Sequence, residues 1–202
     1  MLLVVVALMS SLARYVLPQW LHLRIAAVLF SDLAGHLPVM ATYPITEALH
    51  RLGGALYLLL GVVQFIPRVR MQHPAWHRRS GLVFLVLTLI VGVSGMWMGV
   101  AIPYRPGESV PSLMFGAIML VCAGRAYLHA RRREFRAHRE WMIRSFAVGL
   151  GVGTMRVVGI PILTSRVCTA AELITPLFWF GWGSTLLVAE LWIRATRAAP
   201  RR

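Results

Sequence analysis

The stretch HREWMIRSFAVGLGVGTMR, residues 138–156, places charged groups at both ends of an apolar segment. It begins with a histidine among mixed charges, passes through eleven uncharged residues after Arg144, and reaches Arg156. On a helix, residues 138 and 156 lie about five turns and ~27 Å apart on the same face. Ionisable side chains in an apolar span normally face the interior of a bundle. The stretch therefore predicts a membrane helix with His138 and Arg156 at opposite ends of one inward-facing stripe.

The composition extends this prediction to the whole chain. Of its 202 residues, 58% are hydrophobic and only 14% are charged, and the mean hydropathy is +0.69. A soluble domain needs more polar surface, whereas blocks of about twenty apolar residues match ~30 Å of hydrocarbon. We expect an all-α polytopic membrane helical bundle, one integral membrane domain over residues 1–202, with about six transmembrane helices. The apolar segments are 2–20, 45–67, 81–102, 112–130, about 141–163 and 174–193; segments two to five form a motif-bearing four-helix core, 45–160.

The net charge of +14 comes entirely from arginine, because lysine is absent. A basic balance can signal nucleic acid, but these arginines lie at helix ends, where orientation signals and lipid headgroup contacts are found. The expected partner is therefore the lipid bilayer and not nucleic acid. The positive-inside rule predicts a multi-pass protein of the cell (inner) membrane with both termini cytoplasmic. The arginines on the predicted cytoplasmic side are Arg68, Arg70, Arg78, Arg79, Arg125, Arg131, Arg132, Arg133, Arg136, Arg139, Arg144, Arg194, Arg197, Arg201 and Arg202.

Polar and small residues form stripes on the apolar helices. At about 100° per residue, two such faces and two G-x-x-x-G pairs can be traced, and the pairs favour close helix packing. Arg144 is expected to pair with Glu190 or a lipid phosphate, and Arg156 with Glu47 or Glu172. The stripes are His50, Tyr57, Gly61, Gln64 and Arg68 in segment two, and His77, Gly81, Thr88, Gly92, Gly95 and Gly99 in segment three; the pairs are Gly95–Gly99 and Gly149–Gly153.

Histidines at helix ends give the clearest hint of a cofactor. His77 begins segment three and His138 begins segment five, both on the predicted cytoplasmic side. Two neutral imidazoles from facing helices can supply both axial ligands of a b-type haem, and nearby arginines can pair with its propionates. Taken alone, each histidine is more often simply interfacial. On the other side, His50 has only His22 and His36 as possible partners, and zinc lacks a third ligand.

Three motifs give the chain a family resemblance. They are HRLGGALYLLLGVVQFIPRVR (50–70), HRRSG (77–81) and HREWMIRSFAVGLGVGTMR (138–156). These motifs resemble those of bacterial predicted membrane proteins of DUF2306, over about residues 45 to 160. The resemblance implies a multi-pass membrane protein and no particular activity. In architecture the chain is more loosely similar to cytochrome b561-type di-haem membrane proteins. The motif positions are His50, Gln64, His77, Arg78, Gly81, His138, Trp141, Met142, Arg144, Ser145 and Arg156.

Three functions remain open at this point. The favoured one is an accessory or binding role built on an intramembrane His/Arg site, with a membrane protein partner expected. The first alternative is a haem b- or quinone-binding redox protein, in which His77 and His138 ligate the haem. The second is a small transporter that uses the face of His50, Gln64 and Arg68, and no catalytic residue is assigned. The candidate cofactor-binding residues are His50, Gln64, His77, Arg78, His138, Arg144 and Arg156.

Overall fold

The computed structural model describes residues 2–16, 43–101 and 107–198, and these residues form helices without any strand. This confirms the predicted all-α class. The helices follow the predicted apolar segments, with one short additional helix between segments two and three. They are α1 (Leu2–Val16), α2 (Pro44–Phe65), α3 (Pro67–Gln72), α4 (Pro74–Ala101), α5 (Ser109–Arg131), α6 (Phe135–Thr164) and α7 (Ala170–Ala198).

Four of the described helices are long and apolar enough to cross a membrane: α2, α4, α5 and α6. They are the predicted four-helix core. α1 has 15 residues, which at ~1.5 Å per residue fall short of ~30 Å of hydrocarbon. α7 covers the sixth predicted span and has 29 residues, with several aromatic, glycine and charged residues among its aliphatic ones. It is not one of these four helices. The described part of the first predicted span is thus too short to cross, and the rest of that segment lies outside the described residues, as do His22 and His36.

The core helices pack in chain order, α2 on α4, α4 on α5 and α5 on α6, and α2 also touches α6. In the described part of the chain, α4 and α6 share no extended contact, so they lie diagonally across the bundle. α1 packs against α2 and α6, and α7 packs along the outside of α6. Residues on the inner faces of α4 and α6 therefore point towards each other across the interior.

The break after α2 corrects one prediction. Ile66 is extended, with φ −71° and ψ 116°, and Pro67 begins α3. Proline lacks an N–H group and disfavours a helical conformation in the residue before it. The predicted continuation of the segment-two stripe to Arg68 is therefore wrong. Arg68 is exposed on α3, where its Nε donates to Gln72 Oε1 at 3.2 Å.

Glycines allow the helices to approach closely, as the G-x-x-x-G spacing predicts. A Cβ on Gly149 would lie 2.3 Å from Tyr57 Cε1, and one on Gly153 would lie 2.4 Å from the carbonyl oxygen of Leu3. A Cβ on Gly99 would lie 2.4 Å from Ser112 Cβ. These glycines are thus packing positions at the contacts of α6 with α2 and α1, and of α4 with α5.

Aromatic rings fill the middle of the bundle. Tyr57 stacks on Phe84 with ring centroids 4.7 Å apart, and both side chains are almost fully buried. Phe146 packs against Tyr57 and Phe65 at 5.7 and 5.3 Å. Tyr57 also donates its hydroxyl to the carbonyl oxygen of Ser145 at 3.1 Å. This aromatic centre separates the polar groups at one end of the bundle from those at the other.

Candidate functional site

Several polar contacts define the two ends of the bundle. At one end, Arg197 near the end of α7 pairs with Glu140 near the start of α6, and Arg139 donates to Thr196 at 3.3 Å. The end of α2 and the start of α4 meet there through Gln64. The described arginines of the predicted cytoplasmic set thus gather at this end, which we call the arginine-rich end. The opposite end contains the start of α2, the end of α4 and the connection between α6 and α7.

His77 and His138 lie at the same end of the bundle, the arginine-rich end. They lie in the first turns of α4 and α6, close enough to interact electrostatically. His138 Nδ1 is 2.9 Å from the carbonyl oxygen of Ala126. Because a carbonyl oxygen can only accept, Nδ1 carries the proton of this bond, which leaves Nε2 as the ring nitrogen outside it. His77 Nδ1 is buried and has no hydrogen-bond partner among the described residues.

A buried amide–hydroxyl pair lies beside His77. Gln64 Nε2 is 2.7 Å from Ser80 Oγ, and Ser80 Oγ donates its proton to the carbonyl oxygen of Trp76 at 2.8 Å. Ser80 must therefore accept from Gln64, which fixes the orientation of the amide. A Cβ on Gly81 would lie 3.5 Å from Gln64 Oε1. The pair ties α2 to α4, and the only sequence signal for Ser80 was its place in the HRRSG motif.

The predicted arginines of this end differ in their surroundings. Arg78 is exposed and lies within electrostatic range of His77. Arg144 forms a two-point ion pair with Glu190 of α7, through Nε to Oε1 and through Nη2 to Oε2 at 3.1 Å. This is the Glu190 partner that the sequence suggested. The contacts of Arg144 hold α6 to α7, and in the described part of the chain they do not reach His77 or His138.

At the opposite end, His50 joins α2 to α4. Its Nδ1 is 3.0 Å from Ser94 Oγ, and Ser94 Oγ donates to the carbonyl oxygen of Ile90 at 2.6 Å. Ser94 must therefore accept from His50, so the Nδ1 of His50 carries a proton. A Cβ on Gly95 would lie 3.0 Å from His50 Cε1, which shows how closely the ring packs against α4. The partner is thus a serine that sequence reasoning had not singled out.

Charged groups surround His50. Glu47 is 4% exposed and lies 2.9 Å from Arg51 Nε, one turn further along α2. Arg51 and Arg156 are both within electrostatic range of His50, and Arg156 Nη1 donates to the carbonyl oxygen of Val152 at 3.0 Å. The candidate residues therefore separate into two groups. Gln64, His77, Arg78, His138 and Arg144 lie towards the arginine-rich end, and His50 and Arg156 lie towards the opposite end.

Within the described residues, no three His, Cys, Asp or Glu side chains come together in a way that could hold a metal ion. The two cysteines are free: Cys122 is buried and Cys168 is partly exposed in the connection between α6 and α7. The two-histidine arrangement of His77 and His138 lies outside that test, because it contains only two such groups. Any role of this pair in binding depends on the nitrogen atoms that the helices leave available.

The fold defines a polytopic helical membrane protein with a polar site near each end of its core. The chain belongs to the DUF2306 family of predicted membrane proteins, and the model of that family matches residues 47–193. This confirms the family resemblance and extends it into α7. Comparison with curated proteins and with solved structures found no match. The looser architectural likeness to cytochrome b561-type proteins stays a prediction.

Proposed function

We propose that this membrane protein has a binding or accessory role in which His77 and His138 contact the bound group. The observation that carries the proposal is the buried Nδ1 of His77, which has no partner among the described residues. A buried polar atom without a hydrogen bond costs about 1–3 kcal/mol, so a ligand or partner that supplies one is favoured. His138 complements it, because its Nδ1 is held by the carbonyl oxygen of Ala126 and its Nε2 is not used in that bond.

The chemistry of the two rings suggests what would bind. In a neutral imidazole, one ring nitrogen carries a proton and donates, and the second ring nitrogen accepts. A ligand group that has both a donor and an acceptor therefore fits these two histidines. A hydroquinone hydroxyl has this property, and its apolar tail would lie along the apolar helices. We therefore infer a quinol-like ligand or a polar side chain of a partner subunit as the bound group.

Binding of a short-chain quinol to protein purified in mild detergent tests this proposal. We expect saturable quenching of tryptophan fluorescence, lost in His77→Ala and in His138→Ala. His50→Ala is the matched control, because His50 is bound to Ser94 at the opposite end. If no quinol binds, a tagged wild-type protein should retain a membrane partner that His77→Ala loses. Equal behaviour of all three variants in both assays would contradict the proposal.

Haem b is the second candidate, and one observation favours it. A metal-ligating histidine typically donates its other ring N–H to a carbonyl or carboxylate, as His138 Nδ1 does to Ala126. His77 lies on the diagonal helix, and Arg78 is exposed beside it for a propionate. The aromatic centre limits such a haem to the space between the first turns of α4 and α6.

An optical spectrum distinguishes haem from the other ligands. Protein produced with haem supplied should show a Soret band that shifts on reduction with dithionite. The band should be lost in His77→Ala and in His138→Ala and retained in His50→Ala. A colourless wild-type preparation from haem-supplied cells removes haem as the ligand and leaves the quinol and partner forms of the proposal.

Transport receives less support from the described geometry. The stripe that suggested it is interrupted, because Tyr57, Phe84 and Phe146 pack between the levels of His50 and Gln64. Arg68, the predicted end of the stripe, is exposed on α3. A proteoliposome flux assay for protons and small anions would revive this function if it detected transport that His50→Ala abolished.

We further propose that the arginine-rich end faces the cytoplasm of a cell (inner) membrane. The support is the concentration of arginines there, according to the positive-inside rule. The end of α7 lies on that side; the predicted cytoplasmic N-terminus stays a prediction, since residues 17–42 are outside the described part.

Cys168 offers a test of this orientation, because it lies in the connection between α6 and α7 at the opposite end, while Cys122 is buried. An impermeant thiol reagent should label Cys168 in intact spheroplasts, with Cys168→Ser as the control; labelling only after lysis reverses the orientation.

A further inference from the structure

Two guanidinium groups flank one indole ring where α5, α6 and α7 meet. Arg125 Cζ lies 5.0 Å from the centroid of the Trp141 ring, and Arg144 Cζ lies 4.7 Å from it. Both distances are within the ~6 Å range of cation–π attraction. Glu190 of α7 completes the group by its ion pair with Arg144. We call Arg125, Trp141, Arg144 and Glu190 the Trp141 cluster.

The cluster has an excess of positive charge. Glu190 is engaged by Arg144 through both carboxylate oxygens. Arg125 makes no ion pair in the part of the chain that the structure describes. The remaining carboxylates of the arginine-rich end have partners of their own, because Glu134 contacts His129 and Glu140 contacts Arg197. One guanidinium of the cluster is therefore free to pair with an anion from outside the chain.

The position of Arg125 indicates that this anion comes from the membrane. Arg125 precedes the end of α5 at Arg131 by six residues, or ~9 Å along the helix axis. Its side chain is exposed, and so are Val121 and Leu128, which lie one turn before and one turn after it on the same face. A helix face with exposed aliphatic residues on both sides of an arginine lies against acyl chains, and at this depth arginine reaches towards the headgroup level.

We propose that the Trp141 cluster binds the phosphate of an anionic phospholipid in the adjacent leaflet. The guanidinium of Arg125 presents planar N–H donors that match phosphate oxygens, and stacking on Trp141 holds it in place. The acyl chains lie along Val121 and Leu128. A lipid with one net negative charge balances the cluster, because the charge of Arg144 is already offset by Glu190.

Native mass spectrometry of protein extracted from vesicles of mixed phosphatidylglycerol and phosphatidylcholine tests the proposal. Wild-type protein should retain phosphatidylglycerol in preference to phosphatidylcholine. Arg125→Gln should lower this retention about tenfold, because it removes the hydrogen bonds of a stacked guanidinium to a charged phosphate and not only one positive charge. Arg79→Gln is the matched control, because it removes the same charge from an exposed arginine of the same end that has no contact with Trp141. The control should retain the lipid.

Equal loss in Arg125→Gln and Arg79→Gln overturns the proposal, because the effect would then follow net charge alone. No loss in Arg125→Gln, or equal retention of both lipids by the wild type, also overturns it. Trp141→Leu should lose the lipid as Arg125→Gln does, and melting temperatures report whether each variant is folded. If Trp141→Leu fails to fold, Arg125→Lys replaces it: partial loss supports the stacked site, and full retention contradicts it.

Discussion

Each end of the bundle has a histidine near a pair of polar helix contacts, but the two ends use them differently. At the opposite end, His50 Nδ1 is bonded to Ser94 and the ring packs against Gly95. At the arginine-rich end, the tie between α2 and α4 is made by Gln64 and Ser80, while His77 Nδ1 is buried without a partner in the described chain. The contact between α2 and α4 thus uses a histidine at one end, whereas at the other end it uses an amide and leaves His77 available.

The comparison shows that a histidine at a helix end in a membrane protein is best assessed by its partners rather than by its position. His50 and His77 occupy similar places near the ends of neighbouring helices, and both belong to the family-like motifs. Only the atoms they contact separate them. If the distinction holds, substitutions at the two ends should change the stability of the bundle by different amounts.

The largest loss of stability is expected from a substitution in the aromatic centre, which lies between the two ends of the bundle. Gly149→Leu would place a Cβ 2.3 Å from Tyr57 Cε1, so α2 and α6 would have to separate. We expect a loss of about 3 kcal/mol in the free energy of unfolding, measured by SDS-induced unfolding in mixed micelles. Gly54→Leu is the control, because a Cβ at Gly54 has no heavy atom within 4 Å and should cost less than about 0.5 kcal/mol. Similar losses in both variants would mean that the aromatic centre is loosely packed.

Removal of the hydroxyl of Ser80 tests the hydrogen bond between Gln64 and Ser80 at the arginine-rich end. Ser80→Ala leaves the buried amide of Gln64 without its acceptor, and we expect a loss of about 1.5 kcal/mol. Ser184→Ala removes a hydroxyl that donates only to Gly181 of its own helix, and it should change stability by less than about 0.5 kcal/mol. If the two serine variants are equally stable, the Gln64–Ser80 bond contributes nothing to holding α2 on α4.

Replacing the two histidines compares the ends directly. His50→Ala removes a helix–helix hydrogen bond and a packed ring, so it should lower the free energy of unfolding by about 1 kcal/mol. His77→Ala removes the packing of a partly exposed ring together with a buried nitrogen that has no described partner, so the two effects offset each other and the change should stay below about 0.5 kcal/mol. Unfolding of ligand-free protein in the same micelles gives both values. A larger loss for His77→Ala than for His50→Ala would reverse the assignment of the two ends.

The smallest effect is a coupling energy. A double-mutant cycle of Gln64→Leu and Ser80→Ala should give a coupling of about 0.6 kcal/mol, the average for hydrogen bonds between membrane helices. The cycle of Gln64→Leu with Ser94→Ala should give no coupling, because these residues belong to opposite ends and share no partner. Coupling in the second cycle would show that the aromatic centre transmits changes between the ends.

The sequence predicted the helices of the core well, because length and hydropathy determine which segments can span a bilayer. Their bounds differ most where polar first turns extend a helix. Segment three was predicted from residue 81, yet α4 begins at Pro74, since the turn that holds His77 and Ser80 is not apolar. The error at Arg68 has another origin. The face of segment two was continued at 100° per residue past Pro67, which ends the helix.

The contacts of the site were harder to predict than the residues that make it. A serine in a helix commonly bonds to its own i−4 carbonyl, as Ser80 and Ser94 do, so nothing marks it as the acceptor for a neighbouring helix. The bond from His138 to Ala126 goes to a backbone oxygen, and every residue carries one. Such contacts depend on how two helices rotate against each other, which periodicity alone leaves undetermined. Glu190 was one of the two partners predicted for Arg144, because a partly buried arginine needs an anion and the chain offers few carboxylates.

The close approach of Leu3 to Gly153 has a consequence for biogenesis. α1 rests against α2 and α6, and its Val4 and Ala7 side chains are buried there. The ribosome releases α1 first and α6 much later, so the nascent chain passes through a stage in which α1 has only half of its docking surface. We expect chains truncated before α6 to present that unmatched helix to membrane proteases, and full-length chains to escape degradation once α6 is inserted.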